Sequence, residues 1–173
     1  ETSLERWSLI DAPGLLRRAH RTLRDGDILM LDTGAVRDGY FCDFDRNFAI
    51  GTPNDAARRA YDAAYVATDA ALSALRPGMT AADLHRVMVD SMVAQGARPC
   101  GGRLGHGLGL SLTEWPSLTP LDQTVLRAGM VLTLEPGVEI APGKIMVHEE
   151  NIVVRAGGAE LITTRAASEL PVL

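Results

Sequence analysis

The first hydrophobic pattern in the chain is an apolar run at residues 28–31 that leads into an acidic residue, Asp32. It predicts a β-strand over residues 27–36, with the run buried on both faces and ending at Asp32. Aromatic residues and alternation predict a second strand over residues 38–50, joined to the first by a short turn. A carboxylate at the end of a buried strand is costly without a partner, so Asp32 needs one.

The pattern then changes to helical spacing. Thr52 is a candidate N-cap, and Pro53 is a candidate first residue, of an alanine-rich helix that runs to about Leu75. Thr80 and Asp83 predict the start of a second helix. The apolar residues of that helix fall on one face, which predicts burial: Leu84, Val87, Met88 and Met92.

Beyond the helices, the chain alternates between glycine-rich and apolar segments. Residues 99–123 are rich in glycine and predict loops. Residues 130–140 and 145–155 each predict one strand, and residues 159–163 predict a short last one. No segment has the composition of a linker, so the pattern indicates one domain.

Composition narrows the class of protein. The chain has 173 residues, with 46% apolar and 23% charged residues, which is typical of one soluble domain. A net charge of −5 argues against nucleic-acid binding, and no apolar window is long enough for a membrane span. The polar N-terminus is not a signal peptide, and Glu1 in place of Met suggests a processed or incomplete chain. Two cysteines in unrelated contexts predict reduced thiols and a cytoplasmic location.

A loose internal repeat places acidic residues at equivalent positions. LRDGDILMLDTG at 23–34 matches LRAGMVLTLEPG at 126–137, which aligns Asp32 with Glu135. Asp43 lies eight residues before Gly51, as Glu149 lies eight residues before Gly157. The same pattern is also common in ordinary β-hairpins, so the repeat alone leaves both interpretations open.

Four carboxylates that converge between two sheets would repel one another unless cations lie between them. His106, in the glycine-rich segment GGRLGHGLGL, adds one neutral nitrogen ligand. An oxygen-rich set with one imidazole suits Mn²⁺, Fe²⁺, Co²⁺ or Zn²⁺ in a two-metal site. The two ions of such a site lie roughly 3.5–4 Å apart.

These residues fall in an ordered set of motifs that resembles the prolidase, aminopeptidase P, methionine aminopeptidase and creatinase family. The motifs extend from about residue 20 to residue 165, and Asp32 and Asp43 have the family's usual spacing of eleven residues. The motifs are Asp32-Thr33-Gly34, Tyr40 with Asp43, Gly105-His106-Gly107-Leu108-Gly109, Glu135-Pro136-Gly137 and Glu149-Glu150-Asn151-Ile152-Val153.

The resemblance implies an α+β pita-bread fold, in which two pseudo-symmetric αβ halves surround a dinuclear metal centre. Residues 1–173 would form one catalytic domain whose N-terminal part is incomplete, and the protein would be a homodimer. The activity implied is that of a metal-dependent hydrolase, with an Xaa-Pro peptidase of the aminopeptidase P or prolidase type as the first expectation. The ions implied are two divalent metals, with Mn²⁺ expected first and Co²⁺, Zn²⁺ or Fe²⁺ as alternatives.

The resemblance also implies a role for each of five residues. Asp32 would bind one metal through both oxygens, while Asp43 and Glu149 would bridge the two metals. His106 and Glu135 would complete the second metal. A bridging hydroxide would attack the scissile carbonyl of a small peptide, and Glu135 would transfer the proton.

Two positions depart from the family. Thr113 stands where many of its peptidases have a second histidine, and Val147 stands where prolidase-like members often have arginine. Thr113 could still donate a hydrogen bond to the substrate, and Trp115 could line its pocket. The missing histidine keeps two alternatives open: a creatinase-like C–N hydrolase and a small-molecule lyase. A non-catalytic pita-bread binding module is less favoured, because all five ligands are present.

Neighbouring residues offer alternative assignments. Asp45 shares strand parity with Asp43, but family spacing favours Asp43 as the ligand and leaves Asp45 to pair with Arg46. Glu149 is favoured over the adjacent Glu150 for the same reason. His148 alternates with Glu149, so we expect it to face away from the metals and to serve in packing.

Overall fold

The computed structural model describes residues 22–173, and the part of the predicted domain before residue 22 lies outside the described residues. It begins with a hairpin of β1 (Ile28–Arg37) and β2 (Tyr40–Ala49). Asp38 and Gly39 form the connecting turn with φ values of 53° and 85°, and this handedness suits the twist of a tight hairpin. The predicted hairpin and its turn are therefore confirmed.

The predicted strand over residues 27–36 is confirmed as β1, and Asp32 lies within it, opposite Asp45 in the antiparallel register. The expected burial of the apolar run on both faces is wrong. Met30 and Leu31 keep 38% and 48% of their surfaces exposed. The reason is that β1 and β2 form a two-stranded sheet, in which β1 pairs with no other strand of the described residues.

Two helices follow the hairpin. Helix α1 (Asp55–Ala74) is capped by Asn54, whose side chain accepts the N–H of Ala57 at 2.9 Å. The predicted cap at Thr52 is wrong, because Asn54 reaches the free N–H groups and the N–H of Thr52 is bound to Asp25 instead.

Helix α2 (Ala81–Ala94) begins with the predicted pair, since Thr80 and Asp83 form a reciprocal capping box. Its apolar face is also confirmed. Leu84, Met88 and Met92 are fully buried, while Val87 is partly buried at the margin of the face. The buried face of α1 consists mainly of alanines, which have small side chains and let neighbouring elements approach closely: Ala57, Ala60, Ala63, Ala64, Ala67 and Ala71. Neither helix is long and apolar enough to cross a membrane.

Short strands occupy the stretch predicted as loops. They are β3 (Pro99–Cys100), β4 (His106–Gly107) and β5 (Glu114–Ser117). The two long strands predicted after them are each divided in two. The first becomes β6 (Val131–Leu134) and β7 (Gly137–Ala141), and the second becomes β8 (Lys144–Val147) and β9 (Glu150–Arg155). The last predicted strand is β10 (Gly158–Leu161).

Each of the two predicted strands is divided because its two parts pair in different sheets. A five-stranded antiparallel sheet has the order β10-β9-β6-β4-β5, and a three-stranded sheet has the order β3-β7-β8. The chain crosses from the first sheet to the second at Glu135-Pro136, and crosses back at His148-Glu149. The N–H of His148 donates to the carbonyl of Pro136 at 3.2 Å, so the two crossings lie side by side. This brings Glu135 and Glu149 to one region of the fold.

Candidate metal centre

Three predicted ligands form a compact cluster. Asp43 on β2, His106 on β4 and Glu149 after β8 each offer a ligand atom, and these atoms lie within 4.8 Å of one another. His106 and Glu149 are almost fully buried, and the side chain of Asp43 is 16% exposed. The fold therefore joins residues that are far apart in the sequence into one polar site.

The glycines beside His106 fix its position. A Cβ on Gly105 would lie 2.2 Å from the carbonyl oxygen of Thr133, and one on Gly107 would lie 2.5 Å from that of Trp115. Only glycine allows the neighbouring strands to come this close. The N–H of His106 also donates to the Thr133 hydroxyl at 3.2 Å.

The imidazole of His106 presents one nitrogen to the cluster. Its Nδ1 lies 2.8 Å from the carbonyl oxygen of Gly107, which can only accept, so we assign the proton to Nδ1. Nε2 then faces Asp43, with 3.6 Å between Nε2 and Oδ2. Burial tends to lower the pKa of His106, but the Asp43 carboxylate and the Gly107 carbonyl outweigh it and raise that pKa.

Glu149 shows the strongest electrostatic conflict in the cluster. Its Oε1 atom is buried and has no hydrogen-bond partner. Burial, together with nearby carboxylates led by that of Asp43, raises the pKa of Glu149 to about 10. An unpartnered buried oxygen among like charges is the environment that a divalent cation would stabilise, so the donor set fits a metal site.

Asp32 and Glu135 lie at the margin of this cluster and outside its tightest group. Burial raises the pKa of Asp32, and so does the charge of Asp43. Burial also raises the pKa of Glu135, against the opposing charge of Arg103, whose Nη2 lies 3.5 Å from Glu135 Oε2. Both carboxylates are thus within electrostatic reach of the three clustered ligands.

Asp45 is more closely involved than its predicted pairing with Arg46 implies. It is buried, with 3% of its surface exposed, and its Oδ1 accepts the N–H of Glu149 at 3.0 Å. Burial raises the pKa of Asp45 to about 8, although the Glu149 N–H opposes this. The guanidinium of Arg46 instead donates to the carboxylate of Glu150 at 3.2 Å. Arg46 contacts Asp45 through the backbone carbonyl of Asp45, at 2.5 Å, and not through the predicted pairing with its carboxylate.

Glu150 and His148 face away from the cluster. The carboxylate of Glu150 is fully buried between the guanidinium groups of Arg46 and Arg165. The ring of His148 packs edge-on against Tyr61 and Tyr65, with centroid distances of 4.3 and 5.8 Å. Burial, together with the nearby arginines, lowers the pKa of His148 to about 3, so the imidazole is neutral.

The two predicted substrate-binding residues lie close to β4 in the sheet. Thr113 is exposed in the bend just before β5, and Trp115 is on β5, which pairs with β4. Trp115 is 72% exposed, and its Nε1 donates to the hydroxyl of Thr124 at 2.7 Å.

Sequence reasoning assigned no role to Asn151. Its side chain accepts the N–H of Asp43 at 3.0 Å and donates to the carbonyl of the same residue. The sequence did contain an indication of a role for Asn151, because this residue lies in the motif around Glu149. However, a polar residue two positions after a ligand does not reveal by itself which backbone it binds.

Comparisons with known proteins identify the family of this chain. The model of metallopeptidase family M24 matches residues 12–156. An Xaa-Pro dipeptidase of Pyrococcus furiosus is 34% identical over 144 residues, which cover 83% of this chain and 41% of that protein. The chain therefore spans about two fifths of the length of this curated relative.

Solved structures give the same result. An Xaa-Pro dipeptidase from Bacillus anthracis superimposes with a TM-score of 0.83 at 32% identity, covering 90% of this chain and 44% of that one. The dipeptidase PepE from Mycobacterium ulcerans gives a TM-score of 0.82 at 34% identity, covering 89% and 42%. The expected α+β pita-bread fold is confirmed, and the chain belongs to metallopeptidase family M24.

Proposed function

We propose that this chain forms the catalytic part of a dinuclear metal-dependent hydrolase that cleaves Xaa-Pro bonds in small peptides. The observation that carries the proposal is the cluster of Asp43, His106 and Glu149, whose ligand atoms lie within 4.8 Å of one another. The Xaa-Pro dipeptidases among the relatives support the substrate class. No relative named above favours the C–N hydrolase, the lyase or the binding module.

Five residues would hold the metals: Asp32, Asp43, His106, Glu135 and Glu149. When bound, two divalent ions would supply Lewis acidity and lower the pKa of a water molecule. The ligands are preorganised for this, because His106 is fixed by Gly105, Gly107 and Thr133. Mn²⁺ remains our first expectation, since four carboxylates and one imidazole form an oxygen-rich set.

Glu135 is proposed as the group that transfers the proton. Its carboxylate is partly buried, and burial raises its pKa above the ordinary value, which makes it a stronger base. In the proposed reaction, Glu135 takes a proton from the attacking water at Oε2 and passes it to the departing amine nitrogen. Arg103, 3.5 Å away, limits the rise of the pKa and keeps the carboxylate available as a base.

Thr113 and Trp115 are proposed to contact the substrate. Both are on the segment that leads into or forms β5, next to the strand of His106, and both are exposed to an approaching peptide. Thr113 can donate or accept one hydrogen bond, but it cannot transfer protons near neutral pH as a histidine would. We therefore expect substrate orientation, and not proton transfer, to depend on Thr113.

A homodimer and a cytoplasmic location complete the proposal. Free thiols at Cys42 and Cys100 are compatible with a reducing compartment. The dimer is the expectation that the family resemblance gives, and light scattering on the purified protein tests it.

The activity is tested with the full chain loaded with Mn²⁺ and a panel of matched peptides. We expect hydrolysis of Ala-Pro or of Ala-Pro-Ala, and little hydrolysis of Ala-Ala and Ala-Ala-Ala. The Glu135→Gln variant provides the control, because it keeps the size of the side chain but cannot act as a base. Metal-loaded protein that cleaves none of the proline peptides would contradict the proposed specificity.

A further inference from the structure

The backbones of Asp43 and Glu149 are each held by a side chain from the segment that carries the other residue. The N–H of Asp43 donates to Oδ1 of Asn151 at 3.0 Å, and Nδ2 of Asn151 donates back to the carbonyl oxygen of Asp43. In return, the N–H of Glu149 donates to Oδ1 of Asp45 at 3.0 Å. We call these three hydrogen bonds the clasp.

The clasp follows the internal repeat. Asp45 lies two residues after Asp43, and Asn151 lies two residues after Glu149. The two side chains therefore occupy equivalent positions in the two halves, and each half binds the ligand backbone of the other.

The clasp joins two strands that belong to different sheets. Strand β2 pairs with β1, whereas β9 pairs with β6 and β10. Among the described residues no backbone ladder links β2 to β9, so side chains make the connection. Asp45 and Asn151 are 3% and 0% exposed, and water therefore does not compete for these hydrogen bonds.

Two further side chains of β2 donate hydrogen bonds to the backbone at and before Glu149. The Nη1 of Arg46 donates to the carbonyl oxygen of Glu149 at 3.2 Å. The Nδ2 of Asn47 donates to the carbonyl oxygen of Val147 at 2.6 Å. Successive residues of β2 thus bind the segment that carries Glu149, which limits its movement relative to Asp43.

We propose that Asp45 and Asn151 are positioning residues that hold the carboxylates of Asp43 and Glu149 at the separation required by a pair of divalent ions. This rests on the proposed function, in which Asp43 and Glu149 would both hold the metals. Asp45 acts through the backbone of Glu149, and is not itself a ligand. Loss of the clasp would weaken the binding of the second ion, because ligands whose relative position is no longer fixed hold an ion less tightly.

The test uses the full chain, titrated with Mn²⁺ by calorimetry and observed by electron paramagnetic resonance. Wild-type protein is expected to give the spectrum of an exchange-coupled pair. In Asp45→Leu and Asn151→Leu we expect the second ion to bind about 10–100-fold more weakly and the spectrum to become that of isolated Mn²⁺. Asp45→Asn keeps the oxygen that accepts the Glu149 N–H and is expected to retain the coupled spectrum.

The matched control is Thr68→Val, which removes a different buried hydrogen bond, the 3.0 Å contact of Thr68 with the carbonyl of Ala64. It lowers the Tm but leaves the coupled spectrum unchanged. If Asn151→Leu does not fold, Asn151→Asp replaces it, because it keeps the acceptor for Asp43 and loses the donor. Weaker binding of the second ion to Asn151→Asp then supports the proposal.

Wild-type affinity and a coupled spectrum in the clasp variants would overturn the proposal. It is also overturned if Asp45→Asn loses the second ion as completely as Asp45→Leu, since that result identifies Asp45 as a ligand. A wild-type protein that shows no coupled pair contradicts the proposed function itself. The two failures are therefore distinguishable.

Discussion

The Nε2 atom of His106 lies 3.6 Å from the Oδ2 atom of Asp43. This separation is too long for a strong hydrogen bond. It is one that two ligands of the same ion can have, because ligand bonds to nitrogen and oxygen are about 2.0–2.2 Å long. The two side chains bring together β2 and β4, which belong to different sheets.

Asp32→Ala is expected to reduce metal occupancy and activity far more than stability. The side chain contributes a like charge to a repulsive cluster, since burial and the charge of Asp43 both raise its pKa. Removing it from the metal-free protein therefore relieves repulsion. Elemental analysis and thermal unfolding in EDTA measure the two effects. Asp62→Ala, an exposed position on α1, is the control. If Asp32→Ala retains full occupancy, Asp32 is not a ligand.

The metal-free protein is expected to lose stability as the pH rises from 7 to 9. Burial raises the folded-state pKa of Glu149 from 4.5 to about 10, so in this range the folded state keeps a proton that the unfolded state releases. Stability falls with pH wherever the folded state binds more protons. Asp45 and His106, whose pKa values are also raised, contribute in the same direction.

Urea unfolding in EDTA across this pH range measures the effect. His148, whose pKa is lowered from 6.5 to about 3, is neutral in the folded state, so its opposing contribution is confined to the region near pH 7 and disappears above it. Glu149→Gln should flatten the dependence. Stability that is constant or increases from pH 7 to 9 would contradict this electrostatic description.

His148→Phe is expected to leave stability unchanged or increased and to retain activity. Both ring nitrogens of His148 are buried without hydrogen-bond partners, and such groups cost about 1–3 kcal/mol each. A phenyl ring keeps the contacts with Tyr61 and Tyr65 without this cost. Denaturant unfolding and kcat on Ala-Pro are the measurements. A loss of kcat of about 100-fold, or 2.7 kcal/mol, would show that His148 takes part in the chemistry.

Gly105→Ala is expected to destabilise the fold by at least about 2 kcal/mol. The new Cβ would lie 2.2 Å from the Thr133 carbonyl oxygen, and the φ of Gly105 is +139°. Gly157→Ala is the matched control, because nothing lies within 4 Å of its Cβ position. Equal free energies of unfolding for the two variants would show that the close approach beside His106 is not needed.

The local elements of this fold could be predicted from the sequence. The hairpin turn at Asp38-Gly39, the capping box of Thr80 with Asp83 and the buried face of α2 depend on neighbouring residues and were predicted. The cap of α1 was misplaced by two residues, since Thr52 and Asn54 are both competent caps. Only the structure shows that the N–H of Thr52 is bound to Asp25.

The divided strands could not be predicted from periodicity. Residues 130–140 and 145–155 are mostly apolar, yet the first crosses between sheets at Glu135 and the second at Glu149. A crossing depends on which strand is available as a partner, and that is a tertiary property. The clasp could not be predicted from the sequence either. The type of a side chain does not show which distant backbone group it will bind.

The central claim is that the clustered carboxylates and His106 hold two divalent ions. Equilibrium dialysis of the full chain against Mn²⁺, followed by elemental analysis, tests it most directly, with His106→Ala and Glu149→Gln measured in parallel. We expect two Mn²⁺ per wild-type chain and at most one in each variant. One Mn²⁺ or fewer per wild-type chain at saturation, or two in Glu149→Gln, would contradict it.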